Sequence, residues 1–289
     1  MKKKLTLFLL LLPFLAVTTL VLISVGNVLV QSLGYIPAFG LHTPTLSWYG
    51  KVFSDPDFLS AVLVSLRIAL LSAAFATVGG IVVAMALIKL KKTRGGTLYL
   101  VRFPILVPHA VVALFVIQLL SQTGLFARLG YALGLIDDYS SFPQLLFTPG
   151  YGGTILAYLW KEIPFVAYFV LAFMGSISGC LGEAAENLGA SPWESFFRIT
   201  LPLSIPVIAR AFLIIFIFAF GGYELPLLLG ATLPKALPVQ AYLAYMSPDL
   251  RQRPLAMAMN GVILLLSVGM AAAYWWLIRR VSKRTGGAR

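Results

Sequence analysis

The sequence predicts an all-α integral membrane protein of six transmembrane helices, with two short cytoplasmic helices looped between the fourth and fifth. Composition is the first reason: of 289 residues 60% are hydrophobic and 11% charged, against roughly 25% charged residues in ordinary soluble domains. Apolar runs are the second, because about 20 such residues are needed to cross a hydrocarbon core of ~30 Å. They fall at about 5–30, 58–88, 101–121, 152–175, 205–229 and 255–278. The third is the distribution of charge. The net charge of +12 collects at Lys2 to Lys4, Lys89 to Arg102, Arg198, Arg210 and Arg279 to Arg289. The opposite loops carry Lys51, Arg128, Lys235, Arg251 and Arg253. That asymmetry obeys the positive-inside rule and places both termini in the cytoplasm. The basicity is thus topological, and nucleic acid is excluded as the partner it would otherwise suggest.

The first run, "MKKKLTLFLLLLPFLAVTTLVLISVGNVLV", starts like a signal peptide. Its apolar stretch is too long for one and no A-x-A site follows, so it is expected to remain as the first helix. Residues 1–57 then form this helix with an external loop, and residues 58–289 a core of five spans. The outer loops are rich in Gly, Pro, Ser and Asp and read as turns and short surface helices. Between spans two and three lies a basic inner turn, with Pro104 expected near the start of the next helix, where a missing N–H is tolerated. Cys180, the single cysteine, has no disulfide partner in the chain and is expected to pack as a small hydrophobe.

The loop at 181–202, within "LGEAAENLGASPWESFFRITLP", has an amphipathic pattern of its own. Leu181, Ala184, Ala185 and Leu188 share a face, and Glu183 and Glu186 lie off it. Gly189 ends this arm by taking a positive φ. A second arm starts at once: Ser191 as N-cap, Pro192 at the first helical position, and Glu194 completing a capping box. Trp193, Phe196, Phe197 and Leu201 are expected on one face, before Pro202 and Pro206 redirect the chain into span five. Two readings fit such a hairpin. It lies on lipid headgroups, or it docks in a groove of a cytoplasmic protein. The acidic residues favour docking to a basic partner.

The run "EAAENLGASPWESFFRITLPLSIP" resembles the EAA loop of the permease subunits of binding-protein-dependent ABC importers, the type I importer group. Glu183, Ala184 and Ala185 match the acidic and small positions, Gly189 the glycine, and Ile199, Leu201 and Pro202 the closing element. The resemblance implies that the two arms are coupling helices seated on an ATP-binding cassette subunit. Glu183 would face basic groups there, Ala184 and Ala185 would allow close approach, and Gly189 would supply the turn. Ser191, Trp193, Phe196, Phe197, Leu201 and Pro202 complete the ATPase-coupling set. It also implies two cytoplasmic ATPase subunits, a second permease of the same or related sequence, an extracytoplasmic solute-binding protein, and a bacterial inner membrane. No G-x-x-x-x-G-K-[ST] phosphate loop occurs in this sequence, so ATP and Mg are expected on the partner. The chain itself is expected to be no enzyme and to bind no cofactor or metal. The segment starting "FGGYELP" looks most like permeases for polyamines, iron or sulfate.

Ionisable groups inside spans are costly, about 2.5–3.5 kcal/mol at mid-helix, and therefore candidates for function. They are Arg67 in span two, Lys161 and Glu162 in span four, and Glu224 in span five. Pairing of Arg67 with Glu162 or Glu224 competes with solute contact. Glu224 lies in "GGYELP", where Gly221, Gly222 and Pro226 are expected to break the helix, which makes Tyr223 and Glu224 pathway candidates. Tyr158, Trp160 and Tyr168 add an aromatic wall around Pro164 that suits a cation, a polyamine or other small charged solute. The alternative of an ion-coupled secondary transporter requires paired broken helices, and the sequence suggests one. Neither His42 nor His109 has a companion at catalytic or metal-ligand spacing, and H-E-x-x-H and G-x-S-x-G are absent, which sets aside an intramembrane enzyme.

Overall fold

A computed structural model describes residues 2–90, 92 and 95–284, with the backbone alone described at 2–8 and 281–284. Lys91, Arg94 and Arg289 of the basic clusters lie outside the described residues. Long helices dominate because a lipid-exposed backbone must satisfy its own hydrogen bonds. They are α1 (Lys2–Ser32), α3 (Phe58–Lys89), α5 (His109–Leu120), α7 (Gly152–Ile177), α10 (Leu201–Gly221) and α13 (Arg253–Arg284). Shorter ones are α2 (Ser47–Phe53), α4 (Gly96–Leu106), α6 (Leu125–Ala132), α8 (Glu183–Asn187), α9 (Pro192–Ser195), α11 (Glu224–Leu229) and α12 (Leu237–Tyr245). Among the described residues there is no β-strand, only a bridge between Ile36 and Leu41, and six segments are long and apolar enough to cross a membrane. The short helices α2, α6 and α12 occupy the three expected outer loops.

The chain divides into two units. In the first, Met1–Leu59 with Leu237–Val268, the Ser32 hydroxyl and the Tyr49 hydroxyl are 2.8 Å apart. Gly261 lies under the same ring, where an added Cβ would stand 2.5 Å from the Tyr49 oxygen.

The second unit, Ser60–Ala236 with Gly269–Arg289, holds a core of α3, α7 and α10. Small residues of α3 (Ala73, Ala76 and Ala84) face Val166, Val170 and Met174 of α7, with Ile208, Ala211 and Ile215 of α10 closing the cluster. Apolar lipid offers little hydrophobic drive for helix association, so close backbone approach over small residues supplies the contact. Gly80 marks the nearest approach: a Cβ there would stand 2.5 Å from Val166 Cβ and 3.0 Å from the Ala167 backbone nitrogen. Gly80→Ala is expected to cost about 1–3 kcal/mol by overpacking. The check is the thermal unfolding midpoint in detergent, and an unchanged midpoint would contradict this packing. At the opposite edge of α10, the Tyr274 hydroxyl donates to the Ala209 carbonyl at 2.6 Å and its ring stacks on Phe212.

Two expectations change here. Pro104 lies near the end of α4 rather than at a helix start, because the chain already turns helical at Gly96. Cys180 is exposed, in the turn that leads from α7 into the loop.

Candidate functional site: a coupling hairpin and a doubly broken bundle centre

The hairpin forms as its caps dictate. Leu188 ends α8, and Gly189 follows at φ 97°. Ser191 then caps α9: its Oγ accepts from the Glu194 N–H at 3.2 Å, and its own N–H donates to the Glu194 carboxylate at 3.1 Å. Each arm joins its span through a π-helical turn, Ser178–Gly182 after α7 and Phe196–Thr200 before α10. The Ser195 hydroxyl at the end of α9 donates to the Gly182 carbonyl at 3.2 Å and ties the second arm to the first turn. A side chain at Gly182 would crowd the Ser195 hydroxyl oxygen at 3.0 Å, so Gly182 and Ser195 belong to the hairpin, although its sequence pattern does not single them out.

The aromatic face divides. Phe196 is 7% exposed and joins the α3, α7 and α10 core, with Leu201 partly buried against it. Trp193 and Phe197 stack on each other outside, 55% and 53% exposed. Neighbouring positions on a helix are about 100° apart, so Phe196 and Phe197 cannot point the same way. Glu183, Ala184, Ser191 and Pro202 are exposed and Ala185 partly so. The Arg198 guanidinium reaches the Glu194 carboxylate at 3.7 Å, an exposed pair of little energetic weight. Leu188 stands out at 90% exposure on the tip of the hairpin.

The second region lies where two helices break. Span five stops at Gly222, extended at φ −74° and ψ 129°, and resumes as α11 at Glu224. Span three breaks in the same way between α4 and α5, with Val107 at φ −74° and ψ 128°. A residue before proline is driven out of the helical region, and Pro108 follows Val107. The expectation of a single broken helix is therefore corrected, and His109, which has no companion at motif spacing in the sequence, meets one in space. His109 opens α5, and its Nδ1 lies 3.1 Å from the Glu224 carboxylate, which opens α11. Its ring packs on Phe218, 5.5 Å between centroids. Lys161 of α7 donates to the Val107 carbonyl, placing a cation where α4 ends and the helix dipole is negative. At Gly222 any side chain would collide with the Tyr158 hydroxyl. Thus α5, α7 and α11 meet around one polar cluster, with Glu224 about half exposed.

The remaining candidates are dispersed. Arg67 is exposed on α3 and forms no ion pair with Glu162 or Glu224 among the described residues. Glu162 is 4% exposed, with neither carboxyl oxygen hydrogen-bonded, and shares a buried stripe of α7 with Tyr158 and Thr154. Trp160 and Tyr168 point outward from α7, and Tyr223 is exposed beside the break. Among the described residues no group of His, Cys, Asp and Glu is placed to hold a metal.

Residues 76–283 match the family described as the binding-protein-dependent transport system inner membrane component. The chain belongs to that family. It is a permease subunit of a binding-protein-dependent ABC importer, a multi-pass component of the inner membrane. The putrescine transport system permease protein PotI of Escherichia coli (strain K12) is 27% identical over 241 residues, 82% of this chain and 78% of that protein. The sulfate transport system permease protein CysT of the same strain is 25% identical over 256 residues, 87% and 88%. The fold matches the crystal structure of a bacterial ABC transporter involved in the import of the acidic polysaccharide alginate, with a TM-score of 0.76, 22% identity and 97% of both chains covered.

Proposed function

We propose that this permease forms half of a solute pathway and is driven through the hairpin at 181–202 by a separate cytoplasmic ATPase that carries ATP and Mg. Two such ATPase subunits, a second permease and an extracytoplasmic solute-binding protein complete the assembly, with both termini of this chain cytoplasmic. The observation that carries this reading is the form of the hairpin: an exposed leucine tip on two capped arms, each continuous with a spanning helix and pinned by Ser195 and buried Phe196. Such an element moves as a unit with α7 and α10. From Glu183 to Lys161 is 22 residues, roughly 33 Å of helix at 1.5 Å per residue, so displacement at the hairpin is carried to the broken helices. There the His109–Glu224 pair and the Lys161 contact hold α5, α7 and α11 in one of two arrangements and gate the pathway.

The solute is a small charged molecule. The likeness to a putrescine permease supports a polyamine, and the likeness to a sulfate permease supports an anion. Glu224 is already shared with His109, so the cluster holds both signs of charge and is not a bare acidic trap for a cation.

The test is co-purification of the cassette ATPase, identified by mass, with wild type and with Gly189→Trp. The φ of 97° at Gly189 strains any side chain there while the surrounding space is open, so the damage stays in the hairpin. Wild type is expected to retain the ATPase and the variant to lose it. Equal recovery and equal transport from both would sink the coupling role.

A further inference from the structure

Helix α6, Leu125–Ala132, turns one apolar side away from the chain. At about 100° per residue, Leu125, Leu129, Leu133 and Phe126 fall within a sector of roughly 100°. They are between 47% and 72% exposed, whereas Ala127 on the opposite side is 2% exposed and α6 packs on α5. The sector holds no polar side chain, and no acidic residue occurs from 121 to 136. Where this stripe lies follows from the turn before it. Helices α4 and α5 contain 11 and 12 residues with two between them, roughly 37 Å at 1.5 Å per residue, enough to use up a hydrocarbon core of ~30 Å. The span therefore ends at Leu120, and polar Ser121, Gln122 and Thr123 follow. Gly124 then folds the chain back on α5: an added Cβ would stand 2.9 Å from the carbonyl oxygens of Gln118, Leu119 and Ser121. So α6 begins against the last turn of a spanning helix and cannot stand off in water. Its far end is closed as tightly. Gly134 takes φ 68°, its N–H donates to the Tyr131 carbonyl at 3.0 Å, and the Leu135 N–H donates to the Gly130 carbonyl at 2.9 Å. This Schellman closure satisfies carbonyls that lipid would leave bare.

We infer that α6 is an interfacial anchor: it lies in the plane of the membrane, with Leu125, Phe126, Leu129 and Leu133 inserted among the lipid chains of the leaflet opposite the coupling hairpin. The opposite leaflet follows from α7, which starts after this loop and ends at the hairpin. Lipid is the occupant that the sector fits. A specific protein interface takes roughly 20–30 residues a side and surrounds its apolar centre with a polar rim. Here four hydrocarbon side chains follow directly on a spanning helix and offer a partner nothing to hydrogen-bond, which is the form of an amphipathic helix at a bilayer surface. Arg128 flanks the sector, exposed, and its Nε donates to the Thr123 carbonyl at 2.9 Å, which leaves its remaining donors for lipid phosphate. Such an anchor holds one end of α5 to the bilayer, while His109 stands at the other end, 12 residues or about 18 Å away. The value of that hold to gating rests on the proposed function; the insertion itself is read without transport or ATPase and fails separately.

The test is the depth of nitroxide labels on the full-length chain, reconstituted with the subunits that co-purify into vesicles of phosphatidylethanolamine and phosphatidylglycerol. In a Cys180→Ser background, single cysteines are placed on the stripe by Phe126→Cys, Leu129→Cys and Leu133→Cys, and off it by Tyr131→Cys and Asp137→Cys. All five positions are exposed, so each substitution costs the fold little, and three independent stripe positions keep the test alive if one variant is lost. Labels on the stripe are expected to collide with oxygen, which concentrates in hydrocarbon, and to lose collision with a water-soluble nickel chelate; labels at 131 and 137 keep the nickel collision. Nickel access on the stripe equal to that at 131 and 137 would place α6 in water and overturn the inference. Loss of both collisions on the stripe would overturn it too, because a second permease or a solute-binding protein would then cover the face instead of lipid.

Discussion

Leu188→Glu is expected to abolish transport while leaving insertion and folding unchanged. The side chain is 90% exposed, so the substitution removes almost no contact within the chain and its stability cost lies within about 0.5 kcal/mol. Everything it loses is external. An apolar tip buried against a partner contributes about 1.5–3 kcal/mol, and a carboxylate forced into the same pocket adds a desolvation cost of similar or greater size. A combined loss of about 4 kcal/mol weakens docking roughly a thousand-fold. The measurement is transport and transport-linked ATP hydrolysis in reconstituted vesicles, with circular dichroism to confirm helicity. Normal coupled transport by the glutamate variant would show that the tip meets nothing, and the role assigned to the hairpin would fall with it.

The second large effect is expected at the polar cluster. Glu224→Gln removes the charge that joins His109 to the start of α11 across 3.1 Å. A hydrogen bond to a charged group contributes about 1.5–3 kcal/mol, discounted here because Glu224 is half exposed, so transport should change about ten-fold with ATPase docking intact. His109→Gln should act alike, and the double variant should be little worse than either single one, since both remove the same interaction. Additive effects in that cycle would mean that the two residues act separately, and that the two helix breaks are not latched to each other.

Much of this architecture was legible in the sequence. Six spans follow from hydropathy because the bilayer imposes length, and the caps at Gly189, Ser191 and Glu194 are local chemistry that tertiary packing does not override. The break at Gly222 was visible because two glycines and a proline lie together in "GGYELP". Its counterpart is hidden in "FPILVPHA", because Pro104 fits a first helical turn, where a proline is tolerated, and Pro108 lies within a continuous apolar run. Only the pairing of His109 with Glu224, 115 positions apart in the numbering, shows that the breaks belong together, and no local pattern encodes such a contact. The aromatic face of the second arm divides for a different reason. Trp193, Phe196 and Phe197 fall within one sector of a helix, but Phe196 and Phe197 stand about 100° apart, so Phe196 enters the core while Phe197 stays stacked on Trp193 outside.

The π-helical turn on the other arm has a practical consequence. Cys180 lies inside it, exposed, and is the chain's single cysteine. A thiol-reactive dye therefore attaches at one position without engineering, at the joint between a spanning helix and the hairpin. Its emission would follow that joint in real time as nucleotide is bound and released, turning a residue with no assigned role into a natural reporter of the transport cycle.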